Sequence, residues 1–249
     1  MAPSWNARAG VKACRDVIPV RDTIASSTVP VVTYVLIAGN VAAYLYEESL
    51  GAGVERLISV HGLVPSRFAT EWWDDVTPLF SSMFLHGGWL HLLGNVLYLH
   101  IFGDNVEDRL GHVRFLLFYL ATGGLAGIAQ VLIEPTSAIP IIGASGAIAG
   151  VTGAYFLFYP RARVVTVIPV LLFIQVVEIP AFVFFLLWFG FQLLLGLGSM
   201  SMTLGGGIAF WAHIGGFIAG MVLGPALLPR RDPAPQADLA VRRTMLTGV

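Results

Sequence analysis

Apolar residues in this chain fall into long, nearly unbroken blocks, with polar residues collected between them. A helix needs about 20 predominantly apolar residues to cross a bilayer. Six segments approach that length: 30–46, 89–103, 114–133, 144–159, 176–196 and 207–227. A seventh apolar stretch, ARVVTVIPVLLFIQ at 162–175, is interrupted by Pro169 and reads as an interfacial connection into the fifth segment. The pattern predicts an all-α membrane protein with six transmembrane helices. Residues 1–29 form an N-terminal segment, 30–228 the six-span membrane domain and 229–249 a flexible, Pro- and Arg-containing tail. The long outer loop at 47–88 carries six acidic residues, with Trp72 and Trp73 inside it and Trp89 just beyond. Tryptophans of this kind favour the headgroup layer.

Composition agrees: 56% of residues are hydrophobic and 12% charged, where a soluble domain has about 25% charged. Charge placement orients the spans. An even number of spans puts both termini on one side, and 12 of the 14 basic residues fall on that side. They are Arg8, Lys12, Arg15, Arg21, Arg109, Arg114, Arg161, Arg163, Arg230, Arg231, Arg242 and Arg243; only Arg56 and Arg67 lie opposite. The positive-inside rule makes that face cytoplasmic. The first 29 residues are too long and polar for a signal peptide. A net charge of −1 gives no case for nucleic acid, and the single cysteine, Cys14, precludes an internal disulfide. No internal repeat supports a transporter built from duplicated halves.

The chemistry lies in the few polar residues inside the spans. Ser145 sits in GASGAIAG at 143–150 and His213 in AHIGGFIAG at 212–220. Serine beside a base is the minimum for an activated nucleophile. Gly143, Gly146 and Gly150 in span four, and Gly216, Gly220 and Gly224 in span six, permit close approach of two helices. Both polar residues fall in the outer half of their spans, at depths agreeing to about 5–10 Å. Taken alone, such a serine is usually a packing residue; the matched depth favours a pair. In span two, HGGWLHLLGN places His91 and Asn95 four apart on one face, where both can donate hydrogen bonds to a developing oxyanion. His86 sits at the loop–membrane boundary. No HExxH pair is present, and no metal or other cofactor is expected.

GASGAIAG, AHIGG and the H-x4-H-x3-N pattern, with FGDNVEDRLG at 102–111, together resemble the rhomboid intramembrane serine proteases, over residues 84–225. The resemblance implies a rhomboid-like bundle in which Ser145 is the nucleophile and His213 the general base. It makes His91, Asn95 and the backbone N–H of Ser145 the oxyanion hole, gives His86 a supporting part and makes Glu107 a structural acid. The fifth span becomes a gate for lateral entry of substrate, kinked at Pro180. Two positions depart from the family: Ala149 stands where many members carry an aromatic that supports the histidine ring, and Trp72-Trp73 is followed by Asp74 rather than arginine.

No carboxylate lies near His213 along the chain, so the expected mechanism is a Ser–His dyad that cleaves single-span membrane proteins near the outer face. Its partners are transmembrane substrates and the lipid bilayer, its setting a bacterial inner membrane with both termini cytoplasmic. The sequence sets no oligomeric state. The rival is a rhomboid-like protein that binds transmembrane helices without cutting them. A channel would also explain polar intramembrane residues but gives no reason for a Ser–His pair.

Overall fold

The computed structural model describes residues 18–170, 173–201 and 209–229. Arg8, Lys12 and Arg15, residues 202–208 and all of the tail beyond 229 lie outside the described residues.

Each of the six apolar segments coincides with a helix. They are α1 (Val31–Ser49), α5 (Trp89–Leu110), α6 (His112–Ile133), α7 (Ser145–Phe158), α8 (Ala181–Ser201) and α9 (Phe210–Ala226). The outer loop is structured by three short helices: α2 (Val54–His61), α3 (Pro65–Glu71) and α4 (Pro78–Ser81). Proline opens both α3 and α4, where its missing N–H costs no helical bond. Two of the described helices, His112–Ile133 and Ala181–Gly198, are long and apolar enough to cross a membrane on length and composition. Helices α7 and α9 are apolar but shorter.

The all-α expectation is corrected by a three-stranded antiparallel sheet, ordered β1 (Ile18–Asp22), β2 (Arg163–Val170), β3 (Phe173–Pro180). The connection expected over 162–175 is thus mainly a β-hairpin arm, and the fifth helix begins at Ala181 instead of 176. The physical reason lies in the residues. RVVTVIPV and FIQVVEIP are dense in β-branched side chains, which favour extended backbone. Val164–Val167 pair with Val176–Ile179. Pro180 does not kink a helix; it ends β3 opposite Arg163. Pro19 lies on the edge strand β1, where proline is tolerated, next to a register shift between Pro19 and Arg21.

Strand β1 is fastened to the bundle by its last residue. The Asp22 carboxylate accepts hydrogen bonds from the Tyr155 hydroxyl on α7 and from Asn105 Nδ2 on α5 (2.9 Å for the latter). Helix α1 is then held at both ends, to α5 and to the segment that precedes α5. Buried Glu107 accepts from the first-turn amides of Val32 and Thr33 (2.9 and 2.8 Å) and from the Thr33 hydroxyl (2.7 Å). These amides have no partner within their own helix, and a carboxylate suits the positive end of the helix dipole. At the other end buried Glu47 accepts from the backbone N–H of His86, with both oxygens at 3.2 Å.

The core lies between α5, α6, α7 and α8 and is aromatic. Phe102, Tyr155 and Phe185 pack edge to face, with centroids 5.0–5.9 Å apart. Helices α7 and α9 approach so closely that their backbones touch. A Cβ at Gly216 would overlap the Gly146 carbonyl, one at Gly220 the Gly150 carbonyl, and one at Gly153 the Phe217 carbonyl. The glycine spacing read from the sequence therefore does build a helix–helix contact.

Candidate active site

The closeness of α7 and α9 places the site. Ser145 is the first residue of α7, and His213 lies in the first turn of α9. Across the contact, His213 Nε2 is 2.7 Å from Ser145 Oγ. Both side chains are half-buried and line one cavity of about 490 Å³, together with His91 and Asn95.

The start of α9 is held by α6. Buried Gln130 reaches across and its Oε1 accepts from the backbone N–H of Ala212 at 3.0 Å. That satisfies an amide near the helix N-terminus, which otherwise has no intrahelical partner. The residue fixed in this way is the one before His213.

The segment before Ser145 is shaped by Gly143. Its φ is +117°, and a Cβ there would lie 2.6 Å from both Cε1 and Nε2 of His91 and 3.6 Å from Asn95 Nδ2. Glycine is thus required twice, by backbone and by space. It lets the His91 and Asn95 side chains come up against the chain entering α7. Ser145, at the first helical position, contributes an N–H with no helical partner by position.

His86 is placed differently from its two neighbours in the motif. The helix α5 starts only at Trp89, so His86 precedes it. The ring is buried behind Asn95, with its Nε2 3.0 Å from Asn95 Nδ2 and its Nδ1 3.2 Å from the Phe84 carbonyl. One tautomer satisfies both: Nδ1–H donates to the carbonyl, and Nε2 accepts from the Asn95 amide. His86 therefore aims Asn95, and its backbone is held in turn by Glu47. The His86 and His91 rings meet edge to face at 5.2 Å.

Two residues on α8 complete the surroundings of His213, and neither was singled out from the sequence. Gln192 Oε1 lies 2.9 Å from His213 Nδ1. The Trp188 ring lies over the imidazole with centroids 6.0 Å apart and planes tilted by 36°. Aromatic pairs are favourable in this range. Trp188 thus provides from α8 the ring contact that Ala149 of α7 is too small to make; both residues line the cavity. The sequence did hold a signal, since Gln192 is the one side-chain amide in the apolar run AFVFFLLWFGFQLLLGLG. Among the described residues no group of three or more His, Cys, Asp or Glu could hold a metal ion.

The model of the rhomboid domain matches residues 69–230, which contain every residue of this site. Among similar proteins of Bacillus subtilis, the Putative rhomboid protease YdcA is 40% identical over 85 residues, covering 34% of this chain and 40% of its own. The Rhomboid protease GluP is 38% identical over 128 residues, covering 50% of this chain and 24% of its own. The Inactive rhomboid protein 1 of Drosophila melanogaster also matches, at 28% over 115 residues, which is 46% of this chain and 8% of its own. The chain thus spans well under half the length of each of these relatives. With the domain match covering more than half of its residues, this chain belongs to the rhomboid family, integral membrane proteins that include serine intramembrane proteases.

Proposed function

We propose that this protein is an intramembrane serine endopeptidase in which Ser145 is the nucleophile and His213 its general base. The observation that carries the reading is the 2.7 Å separation of His213 Nε2 and Ser145 Oγ at one wall of a cavity. The Ser145 hydroxyl attacks the scissile carbonyl as Nε2 takes its proton, and the imidazolium then returns a proton to the leaving amine. The oxyanion forms against the Ser145 N–H at the N-terminus of α7, His91 and the second N–H of the Asn95 amide, with His86 holding the first. No metal or cofactor takes part.

The substrates are transmembrane segments of other membrane proteins, cut near the outer face after entering past α8. Six membrane crossings with both termini in the cytoplasm, in a bacterial inner membrane, complete the reading. Helix α7 has 14 residues, about 21 Å of rise, against a hydrocarbon core of about 30 Å. With its far end at the cytoplasmic surface, as this topology has it, its starting residue lies below the outer surface, and the non-helical backbone before it borders a cavity, as irregular backbone at membrane depth must.

Purified protein in detergent, given a tagged single-span reporter, should cleave it. Ser145→Ala and His213→Ala should each lower the rate by about 10⁴-fold or more while eluting and melting as the parent does. Cleavage at the parental rate by either variant overturns the assignment. The match to an inactive relative favours one second reading, a helix-binding protein without activity. It predicts that the reporter co-purifies uncut with the unmodified chain.

A further inference from the structure

We propose that Gln192 is a positioning residue that fixes the tautomer of His213 and thereby makes the imidazole a base. Its catalytic consequence rests on the protease reading; the tautomer itself does not.

A neutral imidazole carries one proton, on Nδ1 or on Nε2. For Ser145 to be activated, Nε2 must hold the lone pair and the serine hydroxyl must donate to it. The wrong tautomer points an N–H at Oγ, and the pair then forms a hydrogen bond that activates nothing. Among the described contacts of His213, Gln192 Oε1 is the one that meets Nδ1, at 2.9 Å. An amide oxygen only accepts, so Nδ1 must carry the proton, and Nε2 is left as acceptor toward Ser145 Oγ at 2.7 Å. The opposite amide orientation would present an N–H to Nδ1, put the imidazole proton on Nε2 and disable the base. With Oε1 toward Nδ1, the two hydrogen bonds run in one direction, from the Ser145 hydroxyl through the ring to Gln192.

Gln192 occupies the place a carboxylate holds in a charged triad, but it is neutral. It can aim the ring and choose the tautomer, yet it supplies no counter-charge to the imidazolium formed during attack. Removing it should therefore cost less than the roughly 10⁴-fold seen when a charged orienter is replaced.

Both contacts on His213 from α8, Gln192 and Trp188, lie four residues apart on one face of that helix. The opposite side of α8 is exposed at Leu186, Leu187 and Leu194. The base is thus completed by a helix other than the one that carries it. Any displacement of α8 that separates Gln192 from His213 releases the tautomer, so the position of α8 sets whether the pair is competent.

The test combines nitrogen NMR and kinetics on full-length protein in detergent. With ¹⁵N-labelled histidine, the His213 ring is identified by the signals lost in His213→Ala. The unmodified chain should show His213 with its proton on Nδ1, and Gln192→Leu should show a mixture or the Nε2–H form. Reporter cleavage by Gln192→Leu should fall about 10- to 100-fold in kcat, with a smaller change in KM, since the defect lies in the base. Gln192→Glu, which keeps an accepting oxygen at the same reach, should recover most of kcat. An Nε2–H proton in the unmodified chain overturns the proposal without needing any variant. So does parental kcat in Gln192→Leu. An Nδ1–H ring in a chain that cleaves nothing supports the tautomer assignment while sinking the protease reading.

Discussion

At the scale of single residues, the site is a set of side chains each aimed by another. His213 is flanked by Gln192 and Trp188, Asn95 is held by His86, and the His86 backbone is held by Glu47. This ordering sets expectations for how much each residue matters. On the proposed mechanism Asn95→Ala removes a donor to the oxyanion, and kcat should fall about 10²- to 10³-fold. His86→Ala leaves that donor present but free to turn, so the loss should be smaller, about tenfold by comparison with other outer-shell partners. Reporter kinetics on the two variants check the order, and a larger loss at His86 than at Asn95 would refute it. Ser145, His213, His91 and Asn95 were readable from sequence because polar groups in apolar spans stand out. Gln192 carries the same signal but was not singled out. What the sequence could not give was its partner, since 21 residues and a change of helix separate it from His213.

At the scale of elements, the joint between α7 and α9 governs everything above. Gly220 faces the Gly150 carbonyl without room for a methyl group, whereas Gly190 on α8 has nothing within 4 Å of where its Cβ would be. Gly220→Ala should therefore destabilise the protein by about 1–3 kcal/mol through overpacking. Gly190→Ala should be neutral or slightly stabilising, because alanine is the better helix former. Thermal unfolding in detergent separates the two, and equal melting temperatures would contradict the packing described. The glycine periodicity made this joint legible in advance. The sheet was not, because an apolar run of eight residues suits a buried strand and a piece of membrane helix equally well. Only the β-branched content of 163–180, with Pro169 inside it and Pro180 at its end, pointed toward extended backbone.

At the scale of the whole molecule, the expected crossings make accessibility the decisive measurement. With Cys14 replaced by serine, a single cysteine put at Arg56 should react with an impermeant maleimide on intact cells. One put at Arg161 should react only after permeabilisation. Reaction of both from outside would dismiss the six-span arrangement. The strand β1 has a consequence of another kind, in time. Its partner begins at Val164, so Ile18–Asp22 leaves the ribosome more than 140 residues before anything exists to pair with it. At about 5–20 residues per second that interval is roughly 7–30 s. During those seconds α1, α5, α6 and α7 are synthesised while the strand has no partner. The sheet cannot close until β2 is made, and deleting residues 18–22 would leave β2 as an open edge available to a neighbouring chain.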